Sequence, residues 1–215
     1  MICKPLTTFS TMIFAAAVAV AIGSTPEAPG VMDPETQKPG LATGTTAPDA
    51  TLRTVSGEET TLASLYADGP VIVTFYRGGW CPFCTKALAG WEKRMGEVEA
   101  LGATFVAITP ESPDNAKATG SKNAPSMMIL SDTGHEAARA FRLSFELPAE
   151  LQEKYKGYGI DLGKSNTSQR WELPAPGTFV IDRDGTIVYA WADWDYKKRA
   201  DPDEVLEAAK AAAEK

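Results

Sequence analysis

The chain has 215 residues, of which 44% are hydrophobic and 23% charged, with three cysteines, a single histidine and a net charge of −7. That balance excludes a disordered chain and suits one main domain able to bury its own core. The acidity counts against nucleic acid, which calls for Lys/Arg patches, and reads as a solvated surface.

Residues 1–23 read as a signal peptide. Lys4 supplies the positive start, Met12 to Ile22 is apolar, and Ala19-Val20-Ala21 and Ala21-Ile22-Gly23 offer small residues at cleavage spacing. The run falls short of the ~20 residues of a transmembrane helix, so the membrane is a partner only if the segment stays uncleaved. Cleavage removes Lys4 and takes the charge from −7 to −8. It also removes Cys3, leaving Cys81 and Cys84. The expected location is the periplasm or cell envelope, where disulfides persist. Residues 24–46 carry Pro26, Pro29, Pro34 and Pro39 among Gly30, Gly40 and Gly44, and read as a flexible tether ahead of a folded domain over 47–215.

Val71 to Tyr76 is a nearly continuous apolar run, the pattern of a parallel strand covered on both faces. Gly78-Gly79 breaks it. Leu88, Trp91, Met95, Val98 and Leu101 then form one helical stripe. Thr104 to Ile108 predicts a second strand. Ser112-Pro113-Asp114 predicts a capped helix start. Met127 to Leu130 predicts a third strand, Glu136 to Phe141 a short helix, and Pro148 to Tyr155 a further helix. Phe179 to Ile181 and Ile187 to Tyr189 flank Asp182-Arg183-Asp184-Gly185, a hairpin signal. Asp201-Pro202-Asp203-Glu204 starts the last helix. The order predicts an α/β fold: a central mixed sheet with helices on both faces, closed by a β-hairpin and a helix.

Cys81-Pro82-Phe83-Cys84 stands where a buried strand gives way to a helix. Free N–H groups and the positive dipole end favour a thiolate on Cys81. Pro82 fits the first helical position. Cys84 lies one turn on, within reach of a mixed disulfide on Cys81. Cys81 is therefore the candidate nucleophile and Cys84 the resolving thiol. Zinc or copper needs more ligands than His135 and this pair supply, so no metal and no cofactor is expected. A structural disulfide closing so short a loop would stabilise little.

Arg77 reads first as a structural ion pair and second as a thiolate stabiliser. Trp80 is either core or an apolar platform for a partner beside Cys81. His135 reads as a capping or surface residue. Pro174 and Pro176 shape a loop or supply a cis bond facing the cysteines.

Strand, Trp-Cys-x-x-Cys, helix and a Pro before a hairpin resemble the thioredoxin superfamily. More narrowly, the chain resembles the peroxiredoxin-like branch of the alkyl hydroperoxide reductase/thiol-specific antioxidant family. The resemblance runs from about Gly44 to the end. It is carried by Gly44 to Asp49 with Leu52, Phe75 to Cys84, Leu130-Ser131-Asp132, Pro176 to Gly185, and Asp195-Tyr196 with the basic and Asp-Pro residues that follow. The resemblance implies a cis Pro176 opposite the disulfide, where partner chains pair.

The chain also departs from that family. The Thr or Ser three residues before a peroxidatic Cys is Gly78 if Cys81 is meant, or Cys81 itself if Cys84 is meant. The family's Arg ahead of the late strand has no counterpart in Pro174 to Thr178. Thioredoxin's buried acid is replaced by Thr74, which leaves water or an acid such as Glu172 to move protons. The leading expectation is an envelope thiol–disulfide oxidoreductase acting on protein or small-molecule thiols or disulfides. The alternative is a thiol peroxidase that reduces hydroperoxides with electrons from a thiol protein. A copper-binding module is the third reading.

Overall fold

The computed structural model describes Met1 and residues 30–215. Residues 2–23 of the expected signal peptide and residues 24–29 of the expected tether lie outside the described residues.

The domain opens on a hairpin, β1 (Thr51–Thr54) and β2 (Glu59–Thr61), and helix α1 (Leu62–Tyr66). Then come β3 (Val71–Phe75), α2 (Pro82–Glu92), α3 (Met95–Ala100), β4 (Thr104–Thr109), α4 (Pro113–Asn123), β5 (Met128–Ser131) and α5 (Glu136–Ala140). An insertion follows: β6 (Ser144–Glu146), α6 (Ala149–Gly157), α7 (Leu162–Ser165) and β7 (Glu172–Pro174). The chain ends with β8 (Gly177–Ile181), β9 (Ile187–Ala192) and α8 (Pro202–Ala213).

Seven strands make one sheet in the order β2-β1-β5-β4-β3-β8-β9, and β6 and β7 pair separately. β3, β4 and β5 are parallel, while β8 joins β3 antiparallel and turns into β9. All five residues of β3 are buried, as are those of β8. The reason is the layering. Val71, Val73 and Phe75 face the core that includes Leu62 of α1 and Ala137 and Ala138 of α5. Ile72 faces the other core, with Leu88 and Trp91 of α2, Val98 of α3 and Val205 and Ala209 of α8. One strand thus serves two layers by alternation.

The expected caps form. Ser112 accepts from the Asn115 N–H at 3.4 Å, and Asp201 from the Asp203 N–H at 2.9 Å. Asp182 and Asp184 both accept from the Thr186 N–H, closing the β8–β9 turn around Gly185 at φ +82°.

Three expectations differ from the structure. The stripe from Leu88 to Leu101 is two helices, not one. The Arg94 N–H closes on Trp91 O at 2.8 Å, three residues back, and the Arg94 guanidinium bonds Glu97 and Asp203. From residue 30 on, the expected tether is laid against the domain. Met32 is buried and its N–H reaches Ser144 O at 2.7 Å, the Gly40 N–H reaches Arg142 O at 2.9 Å, and Trp194 Nε1 donates to Gln37 O. Prolines and glycines there shape a strap whose backbone groups find partners, instead of a free coil. His135 is fully buried, not at the surface. It occupies the N-cap position of α5 with φ 58°, but the Asp132 carboxylate, not the imidazole, accepts the Ala137 and Ala138 N–H groups.

Candidate active site

The redox motif sits where β3, near the middle of the sheet, hands over to α2. Cys81 is the N-cap of α2 with an extended backbone (φ −91°, ψ 111°), and Pro82 takes the first helical position. The turn before it depends on two glycines. Gly78 has φ +146°, and a Cβ there would stand 2.4 Å from Trp80 Nε1. A Cβ on Gly79 would stand 2.1 Å from the Thr119 hydroxyl of α4. Only glycine lets the turn pass between the indole and α4.

Cys81 and Cys84 are both reduced and both buried, at 2% and 1% exposure. An outward-facing first cysteine is the usual expectation for a helix-opening pair; here Cys81 lies in the core cluster with Trp80 packed against that cluster, and Trp80 in turn packs against the insertion. The Trp80 ring meets Tyr155 of α6 edge-on at 5.7 Å, and charge on Cys81 helps raise the Tyr155 pKa, after burial, which marks how near the two lie.

The two thiols are tuned apart. The Cys84 thiol donates to Cys81, and with the Arg77 charge, the Cys84 backbone N–H and Arg199 this outweighs burial and holds Cys81 at about 6. The same hydrogen bond, then burial and the Cys81 charge, push Cys84 well above the usual thiol range. Arg199 Nη2 lies 3.4 Å from Cys84 Sγ and opposes that rise. The arrangement is a thiolate nucleophile beside a protonated thiol.

Arg77 departs from the first reading. Among the described residues it makes no ion pair, although it is only 3% exposed and its Nε has no partner. Its guanidinium lies 5.0 Å from the Trp80 ring centre, 5.6 Å from that of Tyr155 and 4.6 Å from that of Tyr196, and it donates to the Tyr155 hydroxyl. With no carboxylate to neutralise it, its charge acts on Cys81. Trp80 is half-buried and packs against the main core and against the insertion.

Pro176 lines a cavity of about 320 Å³ together with Arg77, Leu151, Tyr155, Trp194 and Tyr196, so it does stand at the site. The cis bond is not found, since the described residues hold none. The neighbouring backbone is paired on both sides, Ala175 N–H to Leu143 O and Asp193 N–H to Pro176 O, which keeps the segment extended. Glu172 is not at the cysteines. It pairs with Arg139 and accepts from Ser144.

Four residues at the site were not singled out as such from sequence. Arg199 ends the run Lys197-Lys198-Arg199 just before the last helix cap, and only the return of the chain over α2 brings it to Cys84. Tyr155 and Tyr196 come from the insertion and the β9–α8 connection. Glu111, buried between β4 and α4, accepts from the Tyr76 and Thr119 hydroxyls at 3.4 and 3.2 Å.

The family model that matches this chain is described as AhpC/TSA family and covers residues 43–190. The chain belongs to the AhpC/TSA family. Its fold is the peroxiredoxin form of the thioredoxin fold. Chloroplastic peroxiredoxin Q of Gentiana triflora is 26% identical over 147 residues, 68% of this chain; the chain spans 57% of that protein's length. A Mycobacterium tuberculosis (strain H37Rv) protein provisionally named a peroxiredoxin is 29% identical over 150 residues, covering 70% of this chain and 84% of its own. Among solved structures, the peroxidoxin BcpB of Mycobacterium tuberculosis superposes with a TM-score of 0.60 at 24% identity, covering 79% of this chain and 96% of its own. A peroxiredoxin-like protein of Aquifex aeolicus gives 0.64 at 17% identity, over 81% and 90%. These likenesses favour the peroxidase reading over the exchange reading that the motif alone put first.

Proposed function

We propose that this protein is a two-cysteine thiol peroxidase. The Cys81 thiolate attacks the terminal oxygen of a hydroperoxide. The S–O bond forms as the O–O bond breaks, and the leaving alkoxide or hydroxide takes up a proton. Cys81 is left as a sulfenic acid, which Cys84 converts to a disulfide with loss of water. An electron-donor thiol then reduces the disulfide. The observation that carries this reading is the pairing of a buried, acid-shifted Cys81 with an unneutralised Arg77. A site closed to 2% exposure admits a small peroxide more readily than a protein disulfide. In this reading Arg77 and the N–H groups at the start of α2 supply the polarisation that the absent Thr or Ser would give.

A second reading, thiol–disulfide exchange with a protein, draws on one observation. Phe83 and Tyr196, 39% and 40% exposed and edge-on at 5.6 Å, form an apolar platform beside the motif. Hydroperoxide turnover and protein-disulfide reduction measured on one preparation separate the two. Turnover of hydroperoxide with slow disulfide reduction is expected; the reverse would overturn the peroxidase reading. The signal-like residues 1–23 support work in the cell envelope, which N-terminal sequencing of envelope material tests.

A further inference from the structure

We propose that Glu111 takes the proton Cys84 loses when it closes the disulfide, with the Tyr76 hydroxyl as the link between them. This rests on the reading of Cys84 as the resolving thiol. Cys84 is buried and protonated, so it has to lose a proton to become a nucleophile, and no water-exposed base touches it. Once Cys81, which accepts from the Cys84 thiol in the reduced protein, has become a sulfenic acid, the remaining neighbours of Cys84 are the Arg77 backbone N–H and the Arg199 guanidinium, which can stabilise a thiolate but cannot accept a proton.

The nearest acid reachable through hydroxyl groups is Glu111. Cys84 and Tyr76 line one enclosed cavity of about 10 Å³, roughly the room of a single water. The Tyr76 hydroxyl is 3.4 Å from Glu111 Oε2. On its far side Glu111 borders a second cavity of about 520 Å³ between α4 and the insertion, which opens toward solvent under Trp80. The charged groups facing it there are Lys122 from α4 and Asp161 and Lys164 from the insertion. Tyr76 and Glu111 thus stand between the small cavity beside the buried thiol and the larger one that opens to solvent.

The proton affinities agree with that direction. Burial, then the Glu111 charge, keeps the Tyr76 hydroxyl protonated far above its usual range, so it passes a proton on without holding a charge. Burial raises the Glu111 carboxyl above an ordinary one, against the Gly79 N–H and the Thr119, Tyr76 and Thr109 hydroxyls.

In the step itself, the Cys84 sulfur bonds to Cys81 sulfur and the Cys81 S–O bond breaks. Hydroxide leaves and takes a proton from solvent to become water. The Cys84 proton passes by way of Tyr76 to the Glu111 carboxylate, and from there to solvent. No outside oxidant or reductant enters.

Glu111 could instead serve only to hold the Gly79 turn, and the experiment has to tell these apart. Reduced full-length protein is mixed with one equivalent of hydrogen peroxide, and disulfide closure is followed by rapid quench and thiol counting from pH 5 to 9. Glu111→Gln keeps an acceptor for the Gly79 N–H but takes up no proton. It should slow closure by about ten-fold or more and lose the rise with pH expected of the parent. The alkylation rate of Cys81 and its pH midpoint should stay unchanged. Glu111→Asp should recover part of the rate, and Tyr76→Phe should slow closure as well, which carries the test if Glu111→Gln does not fold. Closure at the parent rate in Glu111→Gln would overturn the proposal. So would a slowing accompanied by a displaced Cys81 midpoint and no recovery in Glu111→Asp. Cys84→Ser should halt at the sulfenic acid; failure to do so would overturn the reading of Cys84 as the resolving thiol and the relay with it, whereas closure at the parent rate in Glu111→Gln strikes the relay alone.

Discussion

Two regions of this molecule bury charge, and they do it in opposite ways. Around Glu172 the charges are matched: Arg139 pairs with it and Ser144 donates to it, while the neighbouring His135 has its Nε2 bonded to Ser168 at 2.9 Å and its Nδ1 without a partner among the described residues. Around Cys81, charge is left unmatched: Arg77 has rings in place of a carboxylate, and Arg199 meets a thiol. A matched cluster fixes the insertion strands to the domain and offers nothing to a reactant. An unmatched cation in a dry site has its field free for whatever negative charge arrives. Burial of charge alone therefore says little about function; what decides is whether a partner has already consumed it.

The largest break in this comparison is Cys81→Ser. It removes the one negative group that the unmatched cations serve, and hydroperoxide turnover should fall by about a thousand-fold or more. Steady-state turnover with a thiol donor checks it. Retention of most of the activity would transfer the nucleophile role to Cys84.

The matched cluster breaks differently. Glu172→Ala leaves Arg139 alone and should destabilise the fold by about 3 kcal/mol, the low end for a broken buried pair because the Arg139 side chain keeps 18% exposure. Urea midpoints check this, and turnover per folded molecule should not change. The pH dependence has two parts. Burial pushes Glu172 up, but Arg139 and Ser144 outweigh it and leave the carboxyl below its usual value. That contribution is complete above the unfolded value and is lost as pH falls through the depressed one. His135 is held at about 4, chiefly by burial, against 6.5 in the free side chain. Between those values the unfolded chain takes up a proton that the folded one refuses, so stability should fall as pH drops from 6.5 to 4. His135→Gln should flatten that window; an unchanged slope would mean that another group titrates there.

The same contrast explains what the sequence made legible. β3, the Cys81–Cys84 pair, Pro82, the Asp-Gly hairpin and the Asp201 cap all declare themselves within a few neighbouring residues, because periodicity, turn chemistry and capping are local. Arg199 and Tyr155 do not. Tyr155 meets Arg77 across 78 positions of chain, and Arg199 meets Cys84 across 115. Nothing in a Lys-Lys-Arg run or an insertion helix tells which basic or aromatic side chain turns inward. Glu172 looked available as an acid because its consumption by Arg139 is equally non-local. The strap from residue 30 shows the same limit: its prolines are visible in sequence, but the Ser144, Arg142 and Trp194 groups that hold it are not.

The smallest effect in the set tests the unmatched cation itself. Arg77→Met removes the charge but keeps an unbranched stem among Trp80, Tyr155 and Tyr196, so packing changes little. Cys81 is held at about 6 first by the Cys84 thiol and only then by Arg77. Losing Arg77 should therefore raise the Cys81 midpoint by less than about one pH unit, whereas Cys84→Ala should carry it further toward the ordinary thiol value of about 8.5. At pH 7 a rise of that size costs about two-fold in thiolate, and the alkylation rate should fall by no more than that. The sign also appears in stability. A thiol depressed in the folded state lends stability that is full above its unfolded value and fades as pH falls through 6, so reduced protein should melt higher at pH 9 than at pH 6. Arg77→Met should shrink that difference. Alkylation rates against pH for the two variants decide it: a midpoint that stays near 6 without Arg77 would make the arginine a packing element, and a shift larger than that of Cys84→Ala would make it the dominant support of the thiolate.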